Sequence, residues 1–190
     1  MGHKEELLAA ARRCLVTRGY AKTTARDLVA ESGTNLASIG YHFGSKEALL
    51  VQAMDEVAME YIEKVLDLAR AVVPEGTDPG QAVAAGWLAM TDMQQNEQIR
   101  PLLVAFVEAL AQAQRSDTLR ARLAESYEEM RRRIVEGVRA VVPNLPEDVA
   151  RTIASFFMAV SDGYMVQWLL DADATPSGAD LLQGARLAMS

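Results

Sequence analysis

The sequence predicts an all-α protein with about nine helices. Apolar residues recur every three or four positions through most of the 190 residues, as they do on the buried face of a helix. Residues that favour the ends of helices, chiefly Ser, Asn, Gly and Pro, lie between these segments. Half of the residues are hydrophobic, so the chain can bury a substantial core as one domain or two small ones.

Charge is distributed unevenly along the chain. The net charge is −7, but residues 1–50 contain seven Lys and Arg against five Asp and Glu, whereas the remaining residues contain 12 against 21. A basic N-terminal segment on an acidic body is compatible with one end contacting phosphates. The single cysteine, Cys14, cannot form an internal disulfide, and no signal-peptide pattern or apolar run of ~18 residues occurs. We therefore expect a cytoplasmic protein that does not associate with membranes.

The N-terminal segment is predicted to contain three helices. In the first, apolar residues at helical spacing end at Gly19, where a C-terminal cap is expected. Thr24 and the acidic residue three positions later form a capping box, which predicts the start of a second helix that stops at Gly33. Asn35 is a suitable N-cap for a third helix of residues 36–43.

The second and third helices are short and are joined by a turn containing Gly33, which is the arrangement of a helix-turn-helix. The second of the two helices in this motif, here the third helix of the chain, enters the major groove of DNA. Ile39 and Phe43 are four positions apart and are predicted to face the core. Tyr41 and His42 then lie on other sides of the helix and can donate hydrogen bonds to phosphates. Alternatively, these two side chains only border the small core.

Several short motifs follow one another in residues 7–50, LLAAARRCLVTRGYAKTTARDLVAESGTNLASIGYHFGSKEALL. They are a Gly-aromatic pair after helix one, TTARDL opening helix two, a Gly at the turn, a His-Phe pair ending helix three, and SKEALL opening a fourth helix. The ordered set resembles the tetracycline-repressor (TetR) family of bacterial regulators. The resemblance implies a DNA-binding domain at residues 1–46 and a helical ligand-binding and dimerisation domain at residues 47–190.

The resemblance also implies which residues contact DNA. The phosphate contacts that it implies come from Thr24, Tyr41, His42 and Lys46, and the base-edge contacts come from Leu36, Ala37 and Ser38 at the exposed start of the third helix. The base-facing side chains are short or apolar, so they suit thymine methyl groups better than bidentate readout of guanine. Gly40 departs from the family pattern, because many members have an aromatic residue there, and one common DNA contact is therefore absent.

Beyond the turn at Gly44, six further helices are predicted. Their expected bounds are residues 46–73, 79–95, 98–114, 117–142, 146–171 and 177–189. The connecting segments PEGTDPG, VPNLP and DATPSG have the composition of loops. Pro101 lies early in the sixth helix and marks either its true start or a kink.

The helix at residues 146–171 is apolar on more than one face. A single apolar stripe is enough for a helix that packs only on its own domain, so the excess indicates a second subunit, with the last helix completing the contact as in the TetR family. The alternative is a helix at the centre of a monomeric core. The residues predicted at the homodimer interface are Phe156, Phe157, Val160, Tyr164, Trp168, Leu181, Leu182 and Ala185.

The central helices are rich in Met and aromatic residues, which suit an adaptable site for a small apolar or amphipathic effector. Such residues more often form plain core. Asp162 stands on an otherwise apolar helix, where it can pair with an arginine, face solvent at the dimer edge, or meet a ligand. The residues predicted to contact the effector are Trp87, Met90, Phe106, Tyr127 and Asp162.

An enzyme is the competing class of function. His3 and His42 are the only histidines, Cys14 has no second cysteine near it, and no nucleophile elbow or phosphate-binding glycine loop occurs. We therefore expect no catalytic site, no metal and no cofactor. The prediction is a homodimeric DNA-binding transcription regulator, with a repressor favoured by resemblance, that binds an inverted-repeat operator and is released by the effector. The alternative is a helical dimeric protein-interaction module without sequence-specific DNA binding, which the Gly40 departure leaves open.

Overall fold

The computed structural model describes residues 2–73, 78–94 and 96–188, and this part of the chain is all-α. The prediction of an all-helical fold with an N-terminal helix-turn-helix is confirmed. The described residues form nine helices, which are α1 (His3–Lys22), α2 (Ala25–Ser32), α3 (Leu36–Phe43), α4 (Lys46–Val72), α5 (Pro79–Gln94), α6 (Arg100–Ala113), α7 (Asp117–Val141), α8 (Glu147–Leu170) and α9 (Gly178–Ala188).

Two predicted helix boundaries need correction. The first helix does not stop at Gly19, because that residue forms a kink with φ 78° and ψ 175°, after which one more helical turn follows. The sixth helix begins at Arg100 rather than at residue 98, which places Pro101 in the first turn, where its missing N–H costs nothing. The predicted end points Gln95 and Met189, and most of the predicted loop before α5, lie outside the described residues.

The chain divides into two compact packing units. The first contains residues 1–59 and 98–127, and the second contains residues 60–97 and 128–190. The helices α4 and α7 therefore each contribute to both units, and α6 belongs to the unit that contains the helix-turn-helix. The functional division expected from the sequence, at residue 46, remains a prediction.

In the first unit, the core is built from leucines of α1, α2 and α4, including the fully buried Leu7, Leu28 and Leu49. The helix α6 closes this core against α1 with a face of alanines at every fourth position, Ala105, Ala109 and Ala113. Small side chains let two helix backbones approach closely, so α6 lies directly against α1, which supports the helix-turn-helix.

In the second unit, α5 packs against α8 and α9. The main cluster consists of Trp87 and Met90 of α5 and Phe157 of α8, and Tyr61 of α4 packs against it. The Tyr61 hydroxyl donates a hydrogen bond of 2.8 Å to the Met90 carbonyl, and burial raises the pKa of Tyr61 far above its ordinary value. This unit holds both the predicted interface helices and part of the predicted effector site.

Candidate nucleic-acid interface

The start of α2 is fixed by a complete capping box. The Thr24 hydroxyl accepts a hydrogen bond from the Asp27 N–H at 3.2 Å, and the Asp27 carboxylate accepts from the Thr24 N–H at 2.9 Å. The Thr24 hydroxyl also donates to the same carboxylate at 2.6 Å. These hydrogen bonds, assisted by Arg18, hold the pKa of Asp27 below its ordinary value. The cap therefore keeps its charge until the pH falls through that lowered pKa.

The turn into α3 and the cap of α3 follow the sequence prediction. Gly33 adopts the left-handed conformation with φ 69°, which glycine enters without strain. The side chain of Asn35 accepts a hydrogen bond from the Ser38 N–H at 3.0 Å. Ile39 and Phe43 are buried, as their spacing predicts, and they anchor α3 on the core.

The outer face of α3 is open. Leu36 is 54% exposed and Tyr41 is 86% exposed, and Ala37 and Gly40 are exposed between them. A side chain added at Gly40 would meet nothing within 4 Å, so this face is smooth at its centre. The His42 ring is half-buried and lies edge to face with Tyr41, with ring centroids 4.8 Å apart. The interpretation that Tyr41 only borders the core does not fit its exposure.

Ser38 differs from the other two residues predicted to contact bases, because it is only 8% exposed. Its hydroxyl lies 3.3 Å from Oδ1 of the Asn35 side chain and 3.4 Å from Nδ1 of His3 at the start of α1. A base contact by Ser38 stays a prediction and would compete with these two hydrogen bonds. Leu36 and Ala37 carry the accessible part of the predicted base-reading surface.

Two predicted phosphate contacts are already engaged within the chain. The Thr24 hydroxyl is occupied by the capping box. The Lys46 Nζ donates a hydrogen bond of 3.1 Å to the Thr23 carbonyl and lies 3.5 Å from the Glu47 carboxylate. An ammonium group carries three donors, so the Thr23 carbonyl fixes the position of Lys46 without exhausting its capacity to bind a phosphate.

Lys22 and Arg26 are two basic residues beside Thr24 that the sequence prediction does not include. Both are exposed, and they flank the N-terminus of α2, where the helix dipole also favours an anion. The sequence KTTAR, residues 22–26, could have indicated them, because it places a basic residue on each side of a helix cap.

The residues predicted to bind an effector fall in both packing units. In the second unit, Trp87 and Met90 share one buried cluster, and Asp162 is half-buried and has a partner within the chain. In the first unit, Phe106 and Tyr127 stack with ring centroids 6.0 Å apart. Their role in ligand binding stays a prediction.

The residues predicted at the dimer interface separate into buried and accessible groups. Phe157, Tyr164 and Trp168 are 9%, 1% and 2% exposed, so the chain covers them with its own side chains. Phe156 is 53% exposed. The remaining four residues are half-buried. Three of them pack against the Trp87 cluster, namely Val160, Leu181 and Leu182, and the fourth, Ala185, does not belong to it.

Two family models match the chain. The model of the bacterial regulatory proteins of the tetR family matches residues 7–53, which contain the helix-turn-helix. The C-terminal model of the BetI-type transcriptional repressors matches residues 88–186, which is more than half of the chain. Among curated proteins, the HTH-type transcriptional regulator LmrA of Bacillus subtilis (strain 168) is 29% identical over 176 residues, covering 91% of this chain and 89% of LmrA.

Solved structures with the same fold agree with these family matches. A TetR-family transcriptional regulator from a Rhodococcus species superposes with a TM-score of 0.72 at 18% identity, covering 99% of this chain and 98% of the other. The multidrug binding protein EbrR, solved with imidazole, has a TM-score of 0.65 at 23% identity, covering 93% of this chain and 89% of EbrR. With its helix-turn-helix geometry and both family matches, the chain belongs to the TetR family of bacterial transcriptional regulators.

Proposed function

We propose that this regulator is a cytoplasmic repressor that binds an inverted-repeat operator as a homodimer and is released by a small apolar or amphipathic effector. The observation that carries the DNA-binding part is the anchored α3 with an open outer face. Ile39 and Phe43 hold the helix on the core, and Leu36, Ala37 and Tyr41 remain accessible on its other sides. A helix in this setting can enter the major groove without rearrangement of the core.

Phosphate binding on this surface rests on hydroxyl, imidazole and cationic groups. Tyr41 and His42 at the end of α3 can donate to phosphate oxygens, and Lys22, Arg26 and Lys46 supply charge at the starts of α2 and α4. Contacts of this kind fix the position of a protein on the duplex and make its affinity depend on salt. The bases are then read by Leu36 and Ala37, with Ser38 contributing if its hydroxyl leaves Asn35.

Replacing Tyr41 with phenylalanine should weaken operator binding by roughly 0.5 to 1.5 kcal/mol, the net value of one hydrogen bond. The ring is retained and is 86% exposed, so the melting temperature should not change. The measurement is fluorescence anisotropy with operator and with random duplex, and the loss should be equal on both. A loss confined to the operator would show that Tyr41 reads a base and would contradict its assignment to phosphate.

The dimer proposal rests on an exposed stripe of α8. Seven positions spaced alternately three and four residues apart are all exposed, which is the pattern of a helix-packing seam. They are Val149, Thr152, Phe156, Ala159, Gly163, Val166 and Leu170. The helix is long and apolar enough to cross a membrane by length and composition, and only 28% of its most apolar window is buried within the chain. We assign the uncovered surface to a second copy of the chain.

Gly163 gives this stripe its most specific feature. It stands in the middle of α8, where glycine costs about 1 kcal/mol relative to alanine. Within the chain, an added Cβ would meet nothing within 4 Å, so no intramolecular contact requires glycine there. A neighbouring helix crossing at Ala159 and Gly163 would explain the two small residues, because it could approach the backbone closely. A two-fold dimer of this kind presents two reading helices and requires an inverted-repeat operator.

The effector proposal rests on the aromatic and thioether groups of the central helices. Trp87 and Met90 form one cluster with Phe157, and Phe106 stacks on Tyr127. Apolar groups of this kind suit hydrophobic or lipophilic cationic molecules. The similar protein EbrR is described as a multidrug binding protein, which supports an effector of broad chemical type. The effector must favour a state that misfits the operator, so DNA must weaken effector binding by the same factor, commonly ~5 to 150-fold.

A compound that acts as effector should raise the melting temperature and lower operator affinity together. Its stabilisation should follow RT ln(1 + [L]/Kd), which is ~2.7 kcal/mol at one hundred times Kd. Trp168→Phe leaves Trp87 as the remaining tryptophan, so its fluorescence reports binding in the second unit. A panel of lipophilic cations and neutral amphiphiles can be screened in this way. If the stabilising compounds leave DNA binding unchanged, the effector switch is wrong.

The proposed function is tested most broadly by selecting genomic fragments with the purified protein. The account predicts fragments that share an inverted repeat, with half-sites separated by one helical turn or a multiple of it. Fragments without a common sequence, bound with low affinity, would instead support the interaction module that does not read DNA sequence.

A further inference from the structure

The kink of α1 at Gly19 leaves backbone donors without their helical partners. Gly19 has φ 78° and ψ 175°, so the hydrogen-bond ladder of α1 is interrupted and the short turn of residues 20–23 begins a new helical segment. The first N–H groups of any helical segment have no partner within it and need an acceptor from elsewhere. One of these donors is the N–H of Ala21.

Glu108 of α6 supplies that acceptor from a distant part of the sequence. Its Oε2 accepts a hydrogen bond of 2.9 Å from the Ala21 N–H. The carboxylate lies directly over Gly19, because a Cβ added to that residue would be 2.8 Å from Oε2 and 3.2 Å from Oε1. Glycine at position 19 therefore allows the positive φ, and its lack of a Cβ leaves room for the Glu108 carboxylate. A negative charge at the start of a helical turn is also stabilised by the peptide dipoles.

The turn that Glu108 caps is the junction of the DNA-binding motif. Tyr20 and Thr23 are each 1% exposed, so both ends of the turn are fixed in the core. The Thr23 hydroxyl donates a hydrogen bond of 2.6 Å to the Gly19 carbonyl, and the Thr23 carbonyl accepts from Lys46 Nζ at 3.1 Å. The next residue, Thr24, caps α2. A shift of this turn would therefore move both the start of α2 and the ammonium group of Lys46.

The position of Glu108 is fixed by the packing of α6. Ala105 and Ala109 on either side of it are fully buried, and α6 lies against α1. The backbone that carries Glu108 therefore has little freedom to move relative to Ala21. Glu108 lies within residues 88–186, the segment that matches the C-terminal family model, although it acts on the N-terminal motif. A residue outside the helix-turn-helix thus forms a hydrogen bond with the turn that leads into it.

We propose that Glu108 is a positioning residue for DNA binding: its carboxylate caps the turn of residues 20–23 and thereby sets the places of the α2 cap and of Lys46. The inference rests on the proposed DNA-binding function. It predicts that loss of the hydrogen bond lowers DNA affinity even in protein that is fully folded. A residue that only stabilised the fold would change the melting temperature and leave the affinity of folded protein unchanged.

The experiment compares four variants of the full-length chain with wild type on one selected operator. Glu108→Ala removes the acceptor, Glu108→Asp retracts it by one methylene, and Glu108→Gln keeps an amide oxygen that can accept the same N–H. Glu125→Ala removes an exposed glutamate of α7 from the same packing unit and controls for the change in charge. Melting temperature and dimer content are measured for each variant. Affinity is then measured over a range of salt concentrations, at a temperature well below the melting temperature.

We expect Glu108→Ala and Glu108→Asp to lose about tenfold or more in operator affinity, and Glu108→Gln and Glu125→Ala to stay within about threefold of wild type. The slope of log K against log salt should decrease by about one per half-site in the two weak variants, because the Lys46 contact is displaced. Folded, dimeric Glu108→Ala with wild-type affinity and slope would overturn the proposal.

If Glu108→Ala does not fold, the Asp and Gln variants decide the question. Tight binding by Glu108→Asp together with weak binding by Glu108→Gln would show that charge matters and the hydrogen bond does not, which also overturns the proposal. Wild-type protein that binds no duplex in the same assay would contradict the proposed function itself, so the two failures are distinguishable.

Discussion

Replacing Gly163 with leucine should leave the protomer folded and separate the dimer. Position 163 is open within the chain, and leucine has the higher helix propensity, so the melting temperature of the protomer should not fall. At a closely packed seam, an added side chain of this size costs about 1 to 3 kcal/mol, and two-fold symmetry applies the cost twice. Association should therefore weaken by about 30-fold to 10⁴-fold. Sedimentation velocity across the micromolar range measures this change.

Loss of the dimer should also lower operator affinity by about 10²- to 10⁴-fold, because each head then binds a half-site alone. Phe156→Arg should have a similar effect through an unpaired charge at the same seam. Ala124→Leu, at an exposed position of α7 outside the stripe, is the matched control and should remain dimeric. A dimeric Gly163→Leu variant would show that the α8 stripe is not the interface, and a monomeric wild-type protein would remove the dimer from the account.

Replacing Ala37 with glutamate should reduce operator affinity by at least about 100-fold. Ala37 is exposed at the second position of α3, so a carboxylate there would enter the groove among the phosphates in place of a small apolar contact. A base-edge contact is worth ~1 to 3 kcal/mol, and a dimer would lose it at both half-sites. Folding should be unaffected, since an acidic residue in the first turn of a helix is favourable. Anisotropy titration measures the affinity, and circular dichroism measures the melting temperature.

The control for this prediction is Ala124→Glu, which adds the same charge at an exposed position of α7. Ala124→Glu should bind the operator as wild type does, apart from a small long-range effect that salt removes. Equal affinities for the two glutamate variants would mean that α3 does not read DNA. In that case the protein-interaction module becomes the better account of this chain.

The helix-turn-helix could be predicted from the sequence because its determinants are local. The cap of α3 by Asn35, the left-handed turn at Gly33, and the inward spacing of Ile39 and Phe43 each depend on residues within a few positions of one another. Local hydrogen bonds and helical spacing were therefore enough to place the open face of α3 and the exposed Tyr41.

Contacts between residues distant in the sequence could not be predicted in the same way. The Ser38 hydroxyl contacts His3, which is 35 residues away, and the turn after the kink at Gly19 is capped by Glu108, which is 87 residues from Ala21. A glycine after an apolar helix is the usual sign of a C-terminal cap, so the sequence favoured an end of the helix at Gly19. The acceptor that allows a further helical turn is Glu108 of α6, and the residues around the kink give no indication of it.

The uncovered face of α8 could be predicted only in part, because this helix is apolar on nearly every side. Phe156 and Phe157 are adjacent and chemically the same, yet Phe156 is half exposed and Phe157 is buried against Trp87. Helical spacing alone assigns Tyr164 and Trp168 to the same stripe as Phe156, whereas the folded chain buries both of them. Only the fold shows which apolar face the chain leaves uncovered.

If two copies of α3 read two symmetric half-sites, operator affinity must depend on the spacing between those half-sites. The measurement is the affinity of purified wild-type protein for the selected operator and for the same operator with about five base pairs, half a helical turn, inserted between the half-sites. We expect two protomers on the intact operator and a fall in affinity of about 100-fold on the expanded one, because the second helix-turn-helix then faces the wrong side of the duplex. Equal affinity for both duplexes would contradict it.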